Sequence, residues 1–436
     1  MCPTRSGIAK RLGISPSQPN LLSPLGKVKT PASLYTTKGF NLLINKGVIA
    51  YCGKLSTSLP TTIYDLGDYT MDHHTMLTNI LKLHLGCHLA RAKCLSALIL
   101  ALFKVKTVNL TELATAFPGR AQSDSHYRRL QRFFQHVEIK PALIARLVAS
   151  SLSYTVYTLA LDRTPWMLGC FSINFLVLSV VHQGTAFPIF WTFLPKKGNS
   201  NTEERIALLN RFLSSFGAHQ IECLLADREF IGERWFAYLT SHHIRFRIRI
   251  KRDMQVARSK GTVAPALNFF RSLPVSTYCT LHGPRLVWGQ ILWVTGMRLP
   301  WGDYLIVVSD DQSDQVMEEY KRKWKIEVLF EALKSRGFNF EDTHLKEENR
   351  LQTLFAVLSI AFCWAYHVGA WRHDVKPIRI KKHQRPSKSI FRYGFDWIRQ
   401  ALFNPQDKLE LLTHVLNLLW QALSGPKAQL YQIYPM

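Results

Sequence analysis

Between residues 154 and 250 the chain alternates strand-length apolar runs with helix-length amphipathic ones, and that order narrows the fold more than anything else in it. Residues 154–161 read as a first strand. Residues 172–181 and 186–194 read as two more, with His182-Gln183-Gly184 as a tight turn between them. Asn201 or Thr202 caps a helix running to about Phe216, with Ile206, Leu209 and Leu213 turned inward. A short buried strand at 221–226, a helix at 232–241 and an alternating strand at 245–250 complete the order β-β-β-α-β-α-β. That order builds an α/β fold, a mixed sheet with helices on both faces. Asp162 directly follows the first strand and Asp227 directly follows the fourth. If those two strands are neighbours, the carboxylates lie side by side.

The arrangement resembles a ribonuclease-H-like core, interrupted at residues 251–312. There Trp288, Trp293 and Trp301 stand among strand-like runs broken by Pro and Gly, which reads as a β-rich insertion. Buried core positions are expected for all three Trp. A helix at 320–334 follows. At 100° per residue, Tyr320, Lys323, Glu327 and Lys334 fall within an arc of about 60°. Val328, Leu329, Ala332 and Leu333 point elsewhere, toward a core. Taken alone, this is a solvated face with Glu–Lys pairs worth a few tenths of a kcal/mol each. Residues 353–371 carry no formal charge and are long enough to span a bilayer. The segment is isolated, contains His367 and has charged flanks, so it reads as a buried central helix and no membrane partner is expected.

The remaining regions are basic. The chain has 436 residues with a formal net charge of +25, and a polyanionic partner would relieve that self-repulsion. Nucleic acid is the first candidate, because clustered Lys and Arg are rewarded by counterion release. From 71 to 150 the pattern is helical, with two short helices around Pro118-Gly119. Asn109 or Thr111 caps the first and Ser123 or Asp124 the second. Arg128, Arg129 and Arg132 then lie on the second helix, as a major-groove reader needs, although such helix pairs also serve as plain scaffold. Residues 376–388, with Lys381, Lys382 and Arg385, are a second basic stretch, and 408–423 reads as an amphipathic helix. Residues 1–64 hold no Asp or Glu and eight Lys or Arg. They read as a DNA-binding arm, as a transit peptide, or as translated upstream sequence before a natural start at Met71, and the last is favoured. The eight Cys form no CxxC pair, which suits a reducing compartment. Cys87, His88 and Cys94 lack a fourth zinc ligand.

With the helix of Glu327 brought opposite Asp162 and Asp227, three carboxylates converge, and a divalent cation removes their mutual repulsion. Mg2+ suits oxygen ligands, and two such ions stabilise both oxygens of a phosphoryl displacement. Each Asp alone is an ordinary strand-end residue; the three in this order, in so basic a chain, point to phosphoryl transfer on DNA.

The motifs that carry this resemble those of DDE transposases of bacterial insertion sequences, in the group whose third motif spaces Tyr, Arg, Glu and Lys as Tyr320, Lys323, Glu327 and Lys334 are spaced here. Lys323 stands where the family has Arg. Arg322 is next to it but about 100° away around the helix. The second motif resembles Ala226-Asp227-Arg228-Glu229-Phe230, the first Leu161-Asp162-Arg163-Thr164, and residues 389–398 resemble a stretch downstream of the third. The likeness covers about residues 75–425. It implies Asp162, Asp227 and Glu327 as catalytic metal ligands for two Mg2+ ions, with Mn2+ able to substitute and Glu331 as the rival third ligand. It implies Tyr320, Lys323, Lys334 and Arg228 on DNA phosphates, element ends and target DNA as double-stranded partners, and a homodimer on DNA in the bacterial cytoplasm. An insertion-domain Trp stacked on a flipped base is a further implication, with Trp288, Trp293 and Trp301 as candidates. The expected division is a tail at 1–70, a helical DNA-binding region at 71–150, core at 151–250, insertion at 251–312, core helices at 313–372 and a basic helical end at 373–436. The alternatives are a nuclease that cuts without joining and an inactive DNA-binding derivative.

Overall fold

The computed structural model describes residues 44–45, 48–49, 73–152, 155–258, 261–382, 384–404 and 411–420. The readings of residues 1–70 and of a start at Met71 fall outside them, apart from Ile44–Asn45 paired antiparallel with Val48–Ile49 in a separate unit, residues 14–71. Residues 408–410 and 421–423 of the last expected helix also fall outside.

Five helices lead into the sheet: α1 (His73–Leu85), α2 (Leu89–Val105), α3 (Leu110–Thr115), α4 (Ser123–His136) and α5 (Pro141–Ser151). Every residue of α2 from Cys94 to Phe103 is buried, as an all-round apolar helix must be. Asn109 caps α3, its side chain accepting from the Thr111 amide at 3.0 Å. The N-cap of α4 is Gln122, without a side-chain cap bond, so Ser123 and Asp124 lie one step inside the helix rather than capping it. Asp124 there sets its charge against the positive helix end. His88 caps α2 by accepting from the Ala90 amide at 3.3 Å, which gives it a structural use.

The central sheet has nine strands. Its first part is β1 (Tyr157–Leu168), β2 (Phe171–His182) and β3 (Thr185–Phe193), then helix α6 (Thr202–Phe216), β4 (Ile221–Ala226), helix α7 (Glu233–Ser241) and β5 (Phe246–Ile250). β1 pairs antiparallel with β2 and β2 with β3, while β1–β4 and β4–β5 are parallel. Asn201 and Glu204 close a capping box that starts α6. Neighbouring residues on a strand point to opposite faces. Phe190 meets Phe216 of α6, and Trp191 meets Phe355 of α10 (Glu348–Val375), so helices cover both faces. The mixed α/β architecture expected from the sequence is therefore present.

The end of the first strand differs from the reading of the sequence. β1 does not stop at Leu161; pairing with β2 carries it to Leu168, and Asp162 sits inside it opposite Val177. The strands of 251–312 join this sheet in part. Short β6 (Gln255–Ala257) and β7 (Val263–Pro265) pair with each other. β8 (Tyr278–Thr280), β9 (Arg285–Val287), β10 (Gln290–Arg298) and β11 (Tyr304–Ser309) extend the main sheet, because β11 pairs antiparallel with β5. That pairing satisfies backbone groups that β5 would otherwise leave at an open edge.

The three Trp of this region are not core residues. Trp288 and Trp301 are 41% and 39% exposed, and Trp293 is half-buried. Trp288 occupies the turn between β9 and β10, where it and Gly289 both take positive φ, so a chain reversal holds it outside the packed layers.

After α8 (Val316–Lys321) and α9 (Lys325–Leu333), the long α10 runs through the core. It is apolar and long enough to cross a membrane, yet 89% of its most apolar stretch is buried inside the protein. α11 (Ile390–Phe403) crosses it at Gly369 and Gly394. α12 (Leu411–Trp420) accepts a hydrogen bond at the Val415 carbonyl from Trp364 Nε1, 2.9 Å away. A methyl on Gly394 would overlap the Ala365 carbonyl and the Gly369 amide, and backbone on a core helix has little room to give. Gly394→Ala is expected to cost about 3 kcal/mol, the upper part of the overpacking range. A denaturant midpoint within experimental error of wild type would refute that close crossing.

Candidate active site

The sheet register places the first two acids. Leu161 pairs with Ala226 across the parallel β1–β4 ladder, so Asp162 and Asp227 each come one residue later on adjacent strands. β4 ends there and β1 continues, which leaves Asp227 on a turn closed by the Phe230 amide donating to its carbonyl at 2.9 Å. Asp162 Oδ1 accepts from the Arg163 amide at 2.8 Å, and Asp227 Oδ1 from the Arg228 amide at 2.7 Å. The Arg249 guanidinium lies 3.7 Å from Asp227 Oδ1.

The third acid arrives on the helical segment after the insertion. The fully buried Arg247 of β5 grips Glu319 of α8 at 2.7 Å, which docks this segment onto the sheet. Tyr320 is 2% exposed and packs with Leu299, Leu305, Val307, Val316 and Met317. A 3-10 turn, Arg322–Trp324, joins α8 to α9 and carries Lys323 inward. Lys323 Nζ lies 2.9 Å from Asp162 Oδ2 and 3.8 Å from Glu327 Oε1. Burial works against its charge, but Asp162 first, then Asp227, Tyr320 and Glu327, hold its ammonium above the ordinary lysine value. Burial, and next the Asp227 charge, push the Tyr320 phenol upward as well. Leu329, Ala332 and Leu333 face the core as expected, whereas Val328 is 36% exposed. Glu331 is turned to Arg336 at 2.6 Å, away from the role of rival ligand.

The donor set suits a hard divalent cation in kind, since all three groups are carboxylates. Its arrangement is closed around an ammonium. Among the described residues no three His, Cys, Asp or Glu side chains gather closely enough to enclose a metal ion, and Lys323 stands between Asp162 and Glu327.

The other sequence-predicted residues are scattered. Arg228 is exposed beside Asp227. Lys334 is paired with Glu341 at 2.9 Å and lies over the Trp166 ring at 5.1 Å. Arg128 and Arg132 are exposed on α4, while Arg129 is half-buried. Reading the sequence missed a pair that braces the site. Arg163 and Glu229, with side chains 7% and 5% exposed, form a two-pronged ion pair at 2.8 and 3.0 Å. Arg163 also donates to Asn174 Oδ1, the Gly198 carbonyl and Asn199 Oδ1. The signal was present, because Arg163 directly follows Asp162 and Glu229 is two residues after Asp227.

Residues 177–364 match the family described as the transposase DDE domain. The matched span includes Asp227 and Glu327 and begins after Asp162. Over that span the chain is similar to the catalytic domain of DDE transposases, a family of DNA transposition and recombination enzymes. No curated protein matches the chain. A piggyBac transposase, seen by cryo-EM in a synaptic complex with hairpin DNA, aligns over 80% of this chain and 83% of its own at 11% identity and a TM-score of 0.38.

Proposed function

We propose that this chain cuts the ends of a bacterial insertion sequence, of the group with a Tyr-Arg-Glu-Lys third motif, and joins them to target DNA. The reading places a ribonuclease-H-like core around two Mg2+ ions, replaceable by Mn2+, held by Asp162, Asp227 and Glu327. Such ions, when bound, polarise the scissile phosphate and acidify an attacking water. One observation carries the reading: the register puts Asp162 and Asp227 at the same level of adjacent parallel strands, with Glu327 joined to Asp162 through Lys323.

The chain's own residues bind and orient the DNA. Arg228 reaches phosphate next to Asp227, and Lys334 exchanges Glu341 for phosphate. Residues 71–150 form the DNA-binding region, with Arg128 and Arg132 presented to the duplex. Two protomers, each holding one element end, make a homodimer on DNA. Pre-cut element ends incubated with plasmid and Mg2+ should yield joined strand-transfer products. Cutting of uncut ends with no joining of pre-cut ones would turn the assignment to a nuclease.

Binding should weaken steeply with salt, because phosphate contacts release counterions. Arg128→Ala and Arg132→Ala should each lower the slope of log affinity against log salt by about one, with little change in sequence preference. Titrations by fluorescence anisotropy at several salt concentrations measure this. Unchanged slopes in both variants would remove α4 from the DNA interface.

A further inference from the structure

Lys323 occupies the place where the acid cluster most needs positive charge. Its ammonium and the Asp162 carboxylate are 2.9 Å apart, with both side chains 2% exposed, and Glu327 Oε1 is 3.8 Å away on the other side. An ammonium so enclosed stays in place only with carboxylate partners, and an enclosed Asp162 needs a cation in return. A doubly charged ion on the same oxygens would sit a few ångströms from the ammonium, and at that range two cations repel strongly. The metal and the lysine therefore compete for one set of carboxylates.

We infer that Lys323 is a positioning residue that serves as a resident cation. It holds Asp162 and Glu327 in register before a divalent ion loads, and its side chain withdraws when the ion binds. The inference rests on the metal-binding reading above. A lysine suits the task because its charge is compact and rides a flexible four-carbon stem, whereas an arginine's rigid fork would leave the carboxylates less readily. Withdrawal also frees the ammonium to pair with a phosphate oxygen of bound DNA, so metal loading and DNA contact would be linked through one side chain.

Calorimetric titration of Mn2+ into the full chain, without DNA, tests this. Lys323→Met should bind Mn2+ at least about 10-fold more tightly than wild type, since the competing charge is gone. In chelator its melting temperature should fall below that of wild type, and Mn2+ should raise it by more than it raises the wild type. Lys323→Arg should bind Mn2+ no more tightly than wild type. A folded Lys323→Met that binds Mn2+ equally or more weakly overturns the inference. If Lys323→Met does not fold, a crystal structure of the wild type with Mn2+ decides. An ammonium moved off Asp162 supports the inference, and one still within about 3 Å of Asp162 Oδ2 overturns it. Asp227→Asn and Glu327→Gln serve as controls. If both bind Mn2+ like wild type, the metal centre itself is wrong and the inference falls with it. If both lose Mn2+ while Lys323→Met gains nothing, only the role of Lys323 is lost.

Discussion

Asp227→Asn should abolish divalent-dependent strand cleavage while leaving DNA binding and folding nearly unchanged. In the proposed metal centre, an amide in place of this carboxylate removes the charge that would hold the metal but keeps an acceptor for the Arg228 amide. A loss of at least about 10³-fold, roughly 4 kcal/mol of transition-state stabilisation, is expected. Asp162→Asn should lose cleavage as fully and should also be less stable. It leaves the buried Lys323 ammonium against a neutral amide, and breaking a buried pair costs about 3–5 kcal/mol. Asp227 is 14% exposed in its side chain, with Arg249 3.7 Å away, so its replacement disturbs folding less. Glu327→Gln should fall between the two in stability. Single-turnover cleavage, gel shift and denaturant melts on the three variants separate these effects. A purified Asp227→Asn protein that still cuts at a tenth of the wild-type rate or better would remove that residue from the metal centre.

How much of this was legible in the sequence follows from what each signal depends on. Strand and helix order between 154 and 250 could be read because local periodicity sets it, and β4 and α6 end at Ala226 and Phe216 as expected. The end of β1 could not, because Asp162-Arg163-Thr164-Pro165 looks like a strand terminus. Pro165 is tolerated in the strand because β4 has already ended, so no ladder bond is asked of it on that side. The same long-range pairing, between β5 and β11, joins the insertion to the core sheet, and no local pattern announces it. At the site, strand order alone put Asp162 beside Asp227. The inward turn of Lys323 depends on a 3-10 step and on tertiary contact with Asp162, neither of which a helical wheel represents. Tyr320 shows the limit most plainly. The wheel places it on the face of Glu327, yet its ring is packed among residues that the insertion supplies, Leu299, Leu305 and Val307.

Glu229→Gln should be among the most damaging single substitutions outside the three acids. Glu229 is held by Arg163 through two short bonds, and the two residues adjoin the motifs of Asp227 and Asp162. Neutralising one partner of a buried, two-pronged pair leaves the other charge uncompensated, at a cost of about 3–5 kcal/mol. The second consequence is catalytic. The pair fixes the β4–α7 turn against β1, and a 1 Å shift in the spacing of the two carboxylates is enough to slow the chemistry about 100-fold. The exchanged double variant, Arg163→Glu with Glu229→Arg, should not recover either property. Arg163 also donates to Asn174, Gly198 and Asn199, and a carboxylate at that position would meet acceptors where it needs donors. Arg163→Lys should recover part of the stability and little of the rate, since a point charge cannot serve all of these partners at once. Denaturant unfolding and single-turnover cleavage on the four proteins give the two readouts separately. A Glu229→Gln protein within 1 kcal/mol of wild type, cutting at an undiminished rate, would show that the acids hold their spacing without this brace.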